Sequence, residues 1–531
     1  MKNIFLAIFS GILLALSWPT YGFAGFLFIA FVPLLVAINN IYKSDTKRDG
    51  LKVFGLSYLS FVIWNFVTTW WLHFADFYAG LFAVLANALL MALVVRIYYF
   101  TRKRVGNHLS TIFLPALWMA FEKLHLIWDL SWPWLNLGNG FSEYYKWIQW
   151  YEYTGTFGGT FWVWVVNLTL LIGVLKYLET KNISSLTPSL IRTVILIVVP
   201  ISFSYYIYNN YQEKGIETNV VVLQPNLDPY TEKFRFDDDV LSKQLTDLAE
   251  KEIEENTSFV FGPETSLPNG INIKDIYKYP SIKNIEAFTK KHNNTNFITG
   301  ATLIQWYFNK KDAPETARAS KNDTWYNVYN SAISINNTDS IDLYHKSKLV
   351  VGVENMPFVS MIKPLLGDVI INLGGTVGTL GTQEKRSVFT NKKYGITTAP
   401  IICYESVYGE YVTDFVKNGA NILSVITNDG WWNDTQGHKQ HLSLSRLRAI
   451  ENRRSVARSA NTGISAFINQ RGDIIKSLPY GVKGSISENI KANNEITIYT
   501  EFGDSIVRVA MFIALIIFTY ALTYRKGSYM H

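Results

Sequence analysis

In Ile396-Thr397-Thr398-Ala399-Pro400-Ile401-Ile402-Cys403-Tyr404-Glu405 an apolar run ends on the only cysteine of a 531-residue chain. The run is short and rich in β-branched residues, so it reads as a buried strand, and the residues after Cys403 read as a helix to about Asn418. Such a junction exposes one side chain, while the first N–H groups of the helix and the positive end of its dipole face developing negative charge. It is a place for a nucleophile. No intramolecular disulfide is possible with one cysteine, so Cys403 is either an inert buried thiol or a chemically employed one. A free thiol titrates near about 8.5, so attack at neutral pH also requires a base or a cationic neighbour.

Outward from this stretch, β-branched runs alternate with charged, helix-like ones from about 217 to 500, which reads as an α/β domain. Strands are expected at Val220 to Leu223, Phe259 to Phe261, Phe297 to Gly300, Ala332 to Ile335, Ile341 to Tyr344 and Asn421 to Thr427, and an amphipathic helix from Asp239 to Asn256. Glu264 and Lys346 each close a strand-like run, and strand ends are where an α/β sheet assembles a site. Each alone reads as a solvated surface charge; together with Cys403 they form a pattern. Val359 to Lys385, rich in Gly and Thr, reads as one long loop.

The rest of the chain is membrane-like. With 49% hydrophobic and 15% aromatic residues, the composition excludes an ordinary soluble protein. Spans of roughly 17 to 23 apolar residues, enough for a ~30 Å hydrocarbon core, are expected near 4–20, 24–41, 52–74, 78–100, 108–126, 157–177, 190–208 and 505–524. The net charge of +7 is concentrated on alternate connections: Lys43, Lys47 and Arg48; Arg102, Lys103 and Arg104; Lys176 and Lys181; Arg525 and Lys526. Short cytoplasmic loops hold basic residues, so the N-terminus is expected inside and the α/β domain outside, with no nucleic acid partner. Trp18, Trp70, Trp71, Trp132 and Trp134 read as an aromatic belt, and Glu122, Lys123 and His125 as interfacial charges. The domains are therefore a bundle of seven spans over 1–210, a catalytic domain over 217–500, and a last span with its tail over 505–531.

Several motifs carry a family resemblance: Gly262-Pro263-Glu264-Thr265-Ser266-Leu267-Pro268; Tyr344-His345-Lys346-Ser347-Lys348-Leu349-Val350 with Glu354 and Pro357; Ile401-Ile402-Cys403-Tyr404-Glu405; Thr427-Asn428-Asp429-Gly430-Trp431-Trp432; Arg446, Arg448, Ala449, Glu451, Arg454 and Arg458; and Asn461-Thr462-Gly463-Ile464-Ser465. In these the chain resembles the nitrilase superfamily and, over nearly its whole length, the apolipoprotein N-acyltransferases of bacterial membranes. The resemblance implies a four-layer α-β-β-α sandwich beside a membrane α-helical bundle of about eight spans. It implies Glu264 as general base, Cys403 as nucleophile, and Lys346 with the Tyr404 N–H as oxyanion donors. Glu354 would orient Lys346 or the base, Glu405 would support the site, and Asn330 would line it. The implied partners are a phospholipid acyl donor and a diacylated lipoprotein acceptor at the inner membrane, with no cofactor. Two departures stand out: Val351-Gly352-Val353 replaces the usual Pro-Phe-Gly, and Lys233-Phe234 replaces a Lys-Trp pair.

His438 and His441 lack a carboxylate partner at metal-site spacing, and Asp429 to Asp434 lacks calcium-loop placement, so no metal is expected. Two other functions compete: a membrane-anchored amidase in which water resolves the thioester, and a non-catalytic transporter or receptor. The second finds no inverted repeat and few intramembrane charges to support it.

Overall fold

The structure is a computed structural model that describes residues 1–44, 46–320, 323–338, 340–355 and 379–523. Pro357, most of the expected Val359 to Lys385 loop, and Arg525 and Lys526 lie outside the described residues. The chain divides into two compact units, one of Met1–Tyr211 with Phe502–His531 and one of Gln212–Glu501.

The first unit is helical. Among the described residues, six helices are long and apolar enough to cross a membrane: Ala24–Ser44, Asp49–Phe74, Phe77–Leu124, Thr156–Thr180, Ile183–Asn210 and Ser505–Thr523. The expected spans at 78–100 and 108–126 fall within the 48-residue helix Phe77–Leu124, which is broken at Gly106. There φ is 81° and ψ −174°, a backbone that glycine adopts without a Cβ clash. The first expected span forms the shorter helix Lys2–Leu16.

Two expectations for this unit need correction. Trp18, Trp71 and Trp134 are buried rather than spread along an interface. Trp18 packs edge-on against Trp64 with ring centroids 5.5 Å apart, and Trp71 lies tilted against Trp134 at 5.2 Å. Glu122 is likewise no interfacial charge: it is 2% exposed and accepts hydrogen bonds from Thr160 Oγ1, Leu137 N and Trp118 Nε1 at 2.7, 2.7 and 3.1 Å. A polar side chain inside an apolar bundle is stable when its bonds are completed there, and these three donors complete them. Lys123 pairs with Asp504 at 2.7 Å.

The second unit is an α-β-β-α sandwich. Its chain lays down β1 (Ile216–Gln224), helix α1 (Asp238–Ala249), β2 (Thr257–Phe261), β3 (Leu267–Asn272), α2 (Pro280–Lys291), β4 (Asn296–Tyr307), β5 (Arg318–Ala319), β6 (Trp325–Ile335) and β7 (Asp342–His345). The second half adds β8 (Phe389–Asn391), β9 (Ile396–Ile402), α3 (Gly409–Lys417), β10 (Ile422–Thr427), α4 (Gln436–Asn452), β11 (Ser455–Ala460), β12 (Ser465–Ile468), β13 (Ile474–Leu478) and β14 (Gly484–Ala492). One sheet runs β14-β1-β2-β4-β6-β5, with β3 beside β4 and β7 beside β6; the other runs β13-β12-β11-β10-β9-β8.

Each sheet is parallel beside the strands that lead to Glu264 and Cys403. β2 lies parallel between β1 and β4, and β10 lies parallel between β9 and β11. Central parallel strands are covered on both faces, which is why Ile422–Thr427 is buried at every residue. Helices α1 and α2 close the outer face of the first sheet by burying Leu241, Leu245, Leu248, Ile282, Ile285 and Phe288 on Val221, Leu223, Val260 and Ile333. The i, i+4 and i, i+3 spacing of these residues makes one apolar stripe per helix, and full burial of each side chain contributes about 1.5–3 kcal/mol. The two sheets meet face to face, where Ser459 Oγ donates to Leu223 O at 2.8 Å and Ser465 N to Gln224 Oε1 at 3.0 Å.

Candidate active site

Glu264 leaves the end of β2 through the turn Gly262-Pro263. That turn is locked to β4 by Gly262 N to Ile298 O at 2.8 Å and Gly300 N to Pro263 O at 3.0 Å. A Cβ on Gly300 would stand 2.2 Å from Thr265 N and 2.7 Å from Glu264 Cα, so only glycine lets β4 approach this closely. The Glu264 carboxylate is buried and fully engaged. Oε1 accepts Asn330 Nδ2 at 2.8 Å and Lys346 Nζ at 2.9 Å, and Oε2 accepts the Asn428 N–H at 3.2 Å.

Lys346 follows β7 directly and is 1% exposed. Its main-chain N–H donates to Asn330 O at 2.8 Å, and Nζ also pairs with Glu354 at 2.9 Å. Glu354 is held in turn by Asn330 Nδ2 at 2.9 Å and Val350 N at 2.9 Å. One ammonium is therefore shared by two carboxylates, with the Asn330 amide as a second bridge between them. Burial works against each charge, yet the pairing wins. Glu264 is held below the ordinary carboxylate value by Lys346, Lys233 and Asn330, and Lys346 is held well above the ordinary ammonium value by Glu264 and Glu354.

Cys403 stands at the end of β9 with φ of 49°, a left-handed conformation uncommon for a residue with a Cβ. It is 7% exposed. Burial and the Glu264 charge push its thiol far up, while Lys346 and the Thr427 hydroxyl favour the thiolate. The resting site is therefore a neutral thiol facing an ionised carboxylate. The strained elbow is held from behind: Ser406 Oγ donates to the Cys403 carbonyl at 2.7 Å, and His441 Nε2 lies 3.2 Å from the same carbonyl. His441 Nδ1 lies 2.9 Å from Asp429, which is ion-paired to Arg458. The Arg458 and His441 contacts outweigh burial and hold Asp429 far below the usual carboxylate range.

The supporting residues separate in role. Asn330 and Glu354 join the Glu264–Lys346 pair. Glu405 is fully buried and ties Lys346 to the elbow, accepting Tyr411 OH at 2.6 Å, Tyr344 OH and Ser347 N at 2.7 Å, and Ile402 N at 2.9 Å. Tyr404 is buried and packs edge-on against Tyr408, with centroids 5.2 Å apart. Among residues to which the sequence assigns no role, Asp429, His441 and Arg458 form the brace behind Cys403, and the Asn428 N–H contacts Glu264. A signal is present in Thr427-Asn428-Asp429 at the end of a buried strand, but the partners arrive from 441 and 458 and only folding unites them.

Known proteins match the chain over both units. The carbon-nitrogen hydrolase family pattern covers residues 220–496, and the pattern for the apolipoprotein N-acyltransferase N-terminal domain covers residues 10–169. The apolipoprotein N-acyltransferase of Chlorobaculum tepidum is 26% identical over 522 residues, spanning 97% of this chain and 95% of that protein. The apolipoprotein N-acyltransferase of Geobacter metallireducens is 24% identical over 549 residues, spanning 100% and 97%. Among solved structures, Saccharomyces cerevisiae Nit3, a member of branch 10 of the nitrilase superfamily, is 16% identical and covers 54% of this chain with a TM-score of 0.36; 93% of Nit3 is matched. The chain belongs to the carbon-nitrogen hydrolase family, with its hydrolase-like unit joined to an apolipoprotein N-acyltransferase N-terminal domain.

Proposed function

We propose that this protein transfers an acyl chain from a phospholipid, through a thioester on Cys403, to the N-terminal amine of a diacylglyceryl-cysteine lipoprotein. The observation that carries the reading is the buried Glu264–Lys346 pair beside a lone cysteine at a left-handed elbow. It occurs in a chain that matches apolipoprotein N-acyltransferases from end to end. That match includes the N-terminal domain, which a membrane-anchored amidase would not require.

In the first half-reaction Glu264 takes the Cys403 proton as sulfur attacks the ester carbonyl. Lys346 Nζ and the Tyr404 N–H receive the oxyanion, with Glu354 and Asn330 keeping Lys346 and the base oriented. Collapse breaks the C–O bond, and Glu264 returns the proton to the departing lysophospholipid oxygen. In the second half-reaction the amine attacks the thioester, Glu264 takes a proton from nitrogen and passes it to the Cys403 sulfur, and the C–S bond breaks to leave the amide and the free thiol. Glu405 and Tyr344 fix the distance between Lys346 and the elbow. The 217–500 domain lies on the periplasmic side of the inner membrane, where exported lipoproteins present their amines, and the 1–210 and 505–531 segments anchor it.

The test is intact mass of purified protein incubated with phospholipid. A hydroxylamine-labile acyl group on Cys403, discharged by diacylated lipopeptide but slowly by water, is the expected result. No adduct would overturn the reading; discharge by water alone would make the protein an amidase. Orientation is tested with a cysteine at exposed Lys251 in a Cys403→Ala background: labelling by an impermeant maleimide on intact spheroplasts is expected, and labelling only after lysis would place the domain in the cytoplasm.

A further inference from the structure

Residues 230–237, Tyr-Thr-Glu-Lys-Phe-Arg-Phe-Asp, present their side chains in an inverted order. Phe234 and Phe236 are 59% and 40% exposed, whereas Lys233 is 3% exposed. Turning an ammonium inward while leaving two phenyl rings outside opposes ordinary burial preference, so the inward position must be enforced. The backbone enforces it. The Asp228 carbonyl accepts the N–H groups of Lys233 at 3.0 Å and Glu232 at 3.1 Å. Asp228 Oδ1 accepts those of Tyr230 and Thr231 at 2.8 Å, and Asn461 Oδ1 holds Leu227 N at 3.1 Å.

Inside, Lys233 Nζ donates to the main-chain carbonyl of Glu264 at 3.2 Å and forms no ion pair among the described residues. With Glu264, Ser266, Gln244 and Asn461 it lines a cavity of about 10 Å³, room for one water molecule. Gln244 Oε1, buried there, has no hydrogen-bond partner among the described residues, so donor and acceptor capacity both remain for that water. The titratable groups facing this ammonium are Glu264, Lys346 and Cys403, with Glu354 beyond Lys346 and Asp429 beyond Cys403. On its own segment Asp228, Glu232, Arg235 and Asp237 are exposed.

We propose that Lys233 is a positioning residue for Glu264, a second buried ammonium that keeps the carboxylate ionised and in place when Lys346 turns to the oxyanion. The inference rests on the reading of Glu264, Lys346 and Cys403 given above. Lys346 has two tasks, pairing with the base and receiving the oxyanion, and while it serves the second the base needs another cation. The proton moves from Cys403 Sγ to Glu264 and on to the departing oxygen; Lys233 neither gains nor loses one. Burial draws the Lys233 ammonium down to about 8, which gives its charge a limit within reach of experiment.

The rate of acyl-enzyme formation on Cys403, followed by intact mass in full-length protein with phospholipid over pH 4–10, tests this. In Lys233→Met the acid limb is expected to move up by about one unit, since a lost neighbouring cation raises a carboxyl pKa; Lys233→Arg should leave it in place. Separately, the wild-type rate should fall as pH rises through about 8, and Lys233→Arg, which stays charged, should show no such fall. An unmoved acid limb in Lys233→Met, or the same alkaline fall in Lys233→Arg, overturns the proposal. Should Lys233→Met fail to fold, the comparison of Lys233→Arg with wild type decides. A wild-type protein that forms no adduct sinks the triad; an adduct with unmoved limbs sinks only Lys233.

Discussion

Glu264 and Glu405 are both buried carboxylates just beyond strand ends of the same sandwich, and their surroundings are opposite. Glu264 sits among charges, with Lys346 bonded to it and Lys233 beside it, and is held below its ordinary pKa. Glu405 sits among neutral donors, two tyrosine hydroxyls and three main-chain N–H groups, and burial leaves its pKa raised. A carboxylate that must exchange a proton needs neighbours able to follow the change of charge, whereas one that only braces the backbone needs donors that never move. On the proposed mechanism the first region serves chemistry and the second geometry.

The sharpest way to break this comparison is to neutralise both carboxylates. Glu264→Gln should lower acyl-enzyme formation by about 10³-fold or more with little change in Tm, as expected for loss of a general base. Glu405→Ala should instead cost about 2–4 kcal/mol of stability by stranding its buried donors, read as a lowered denaturation midpoint, while the folded fraction keeps much of its rate. Equal losses of rate per folded molecule, at unchanged stability, would erase the distinction.

Asp429 sharpens it from a third direction, because Arg458 and His441 hold its pKa down and so keep it charged, for bracing rather than for proton transfer. Asp429→Asn should destabilise by about 3 kcal/mol, the scale for stranding a buried cation. The sign with pH is set by its depressed folded pKa: the stability it brings is complete above the unfolded value near about 4 and is lost as pH falls through the folded one. Tm should therefore fall less steeply on acidification in Asp429→Asn than in wild type. The smallest effect belongs to Tyr411→Phe, which removes one of several donors to Glu405 and should cost about 1 kcal/mol in denaturant titration.

Much of the site is legible in the sequence because its parts are local. Glu264, Lys346 and Cys403 each follow a short apolar run, and period and composition report strand ends directly. The brace is not legible. β11 reads Ser-Val-Ala-Arg-Ser-Ala, with Arg458 buried in mid-strand, and nothing in the run announces that its charge is met by Asp429, 29 residues earlier. The helical unit misleads for a related reason. Hydropathy finds spans but does not separate lipid-facing positions from interior ones when both are apolar, so Trp71 and Trp134 pass for an interfacial belt. Glu122 passes for an interfacial charge because its donors come from residues 137 and 160.

The positive φ at Cys403 has a consequence for how this chain ages under mutation. A side chain in that conformation costs roughly 1 kcal/mol that glycine would not incur. Cys403→Gly should therefore be more stable than Cys403→Ala, read as a higher denaturation midpoint, while on the proposed mechanism neither forms an acyl-enzyme. On the proposed mechanism, the one cysteine of the chain stands where the demand of chemistry for a side chain opposes the backbone's preference for glycine.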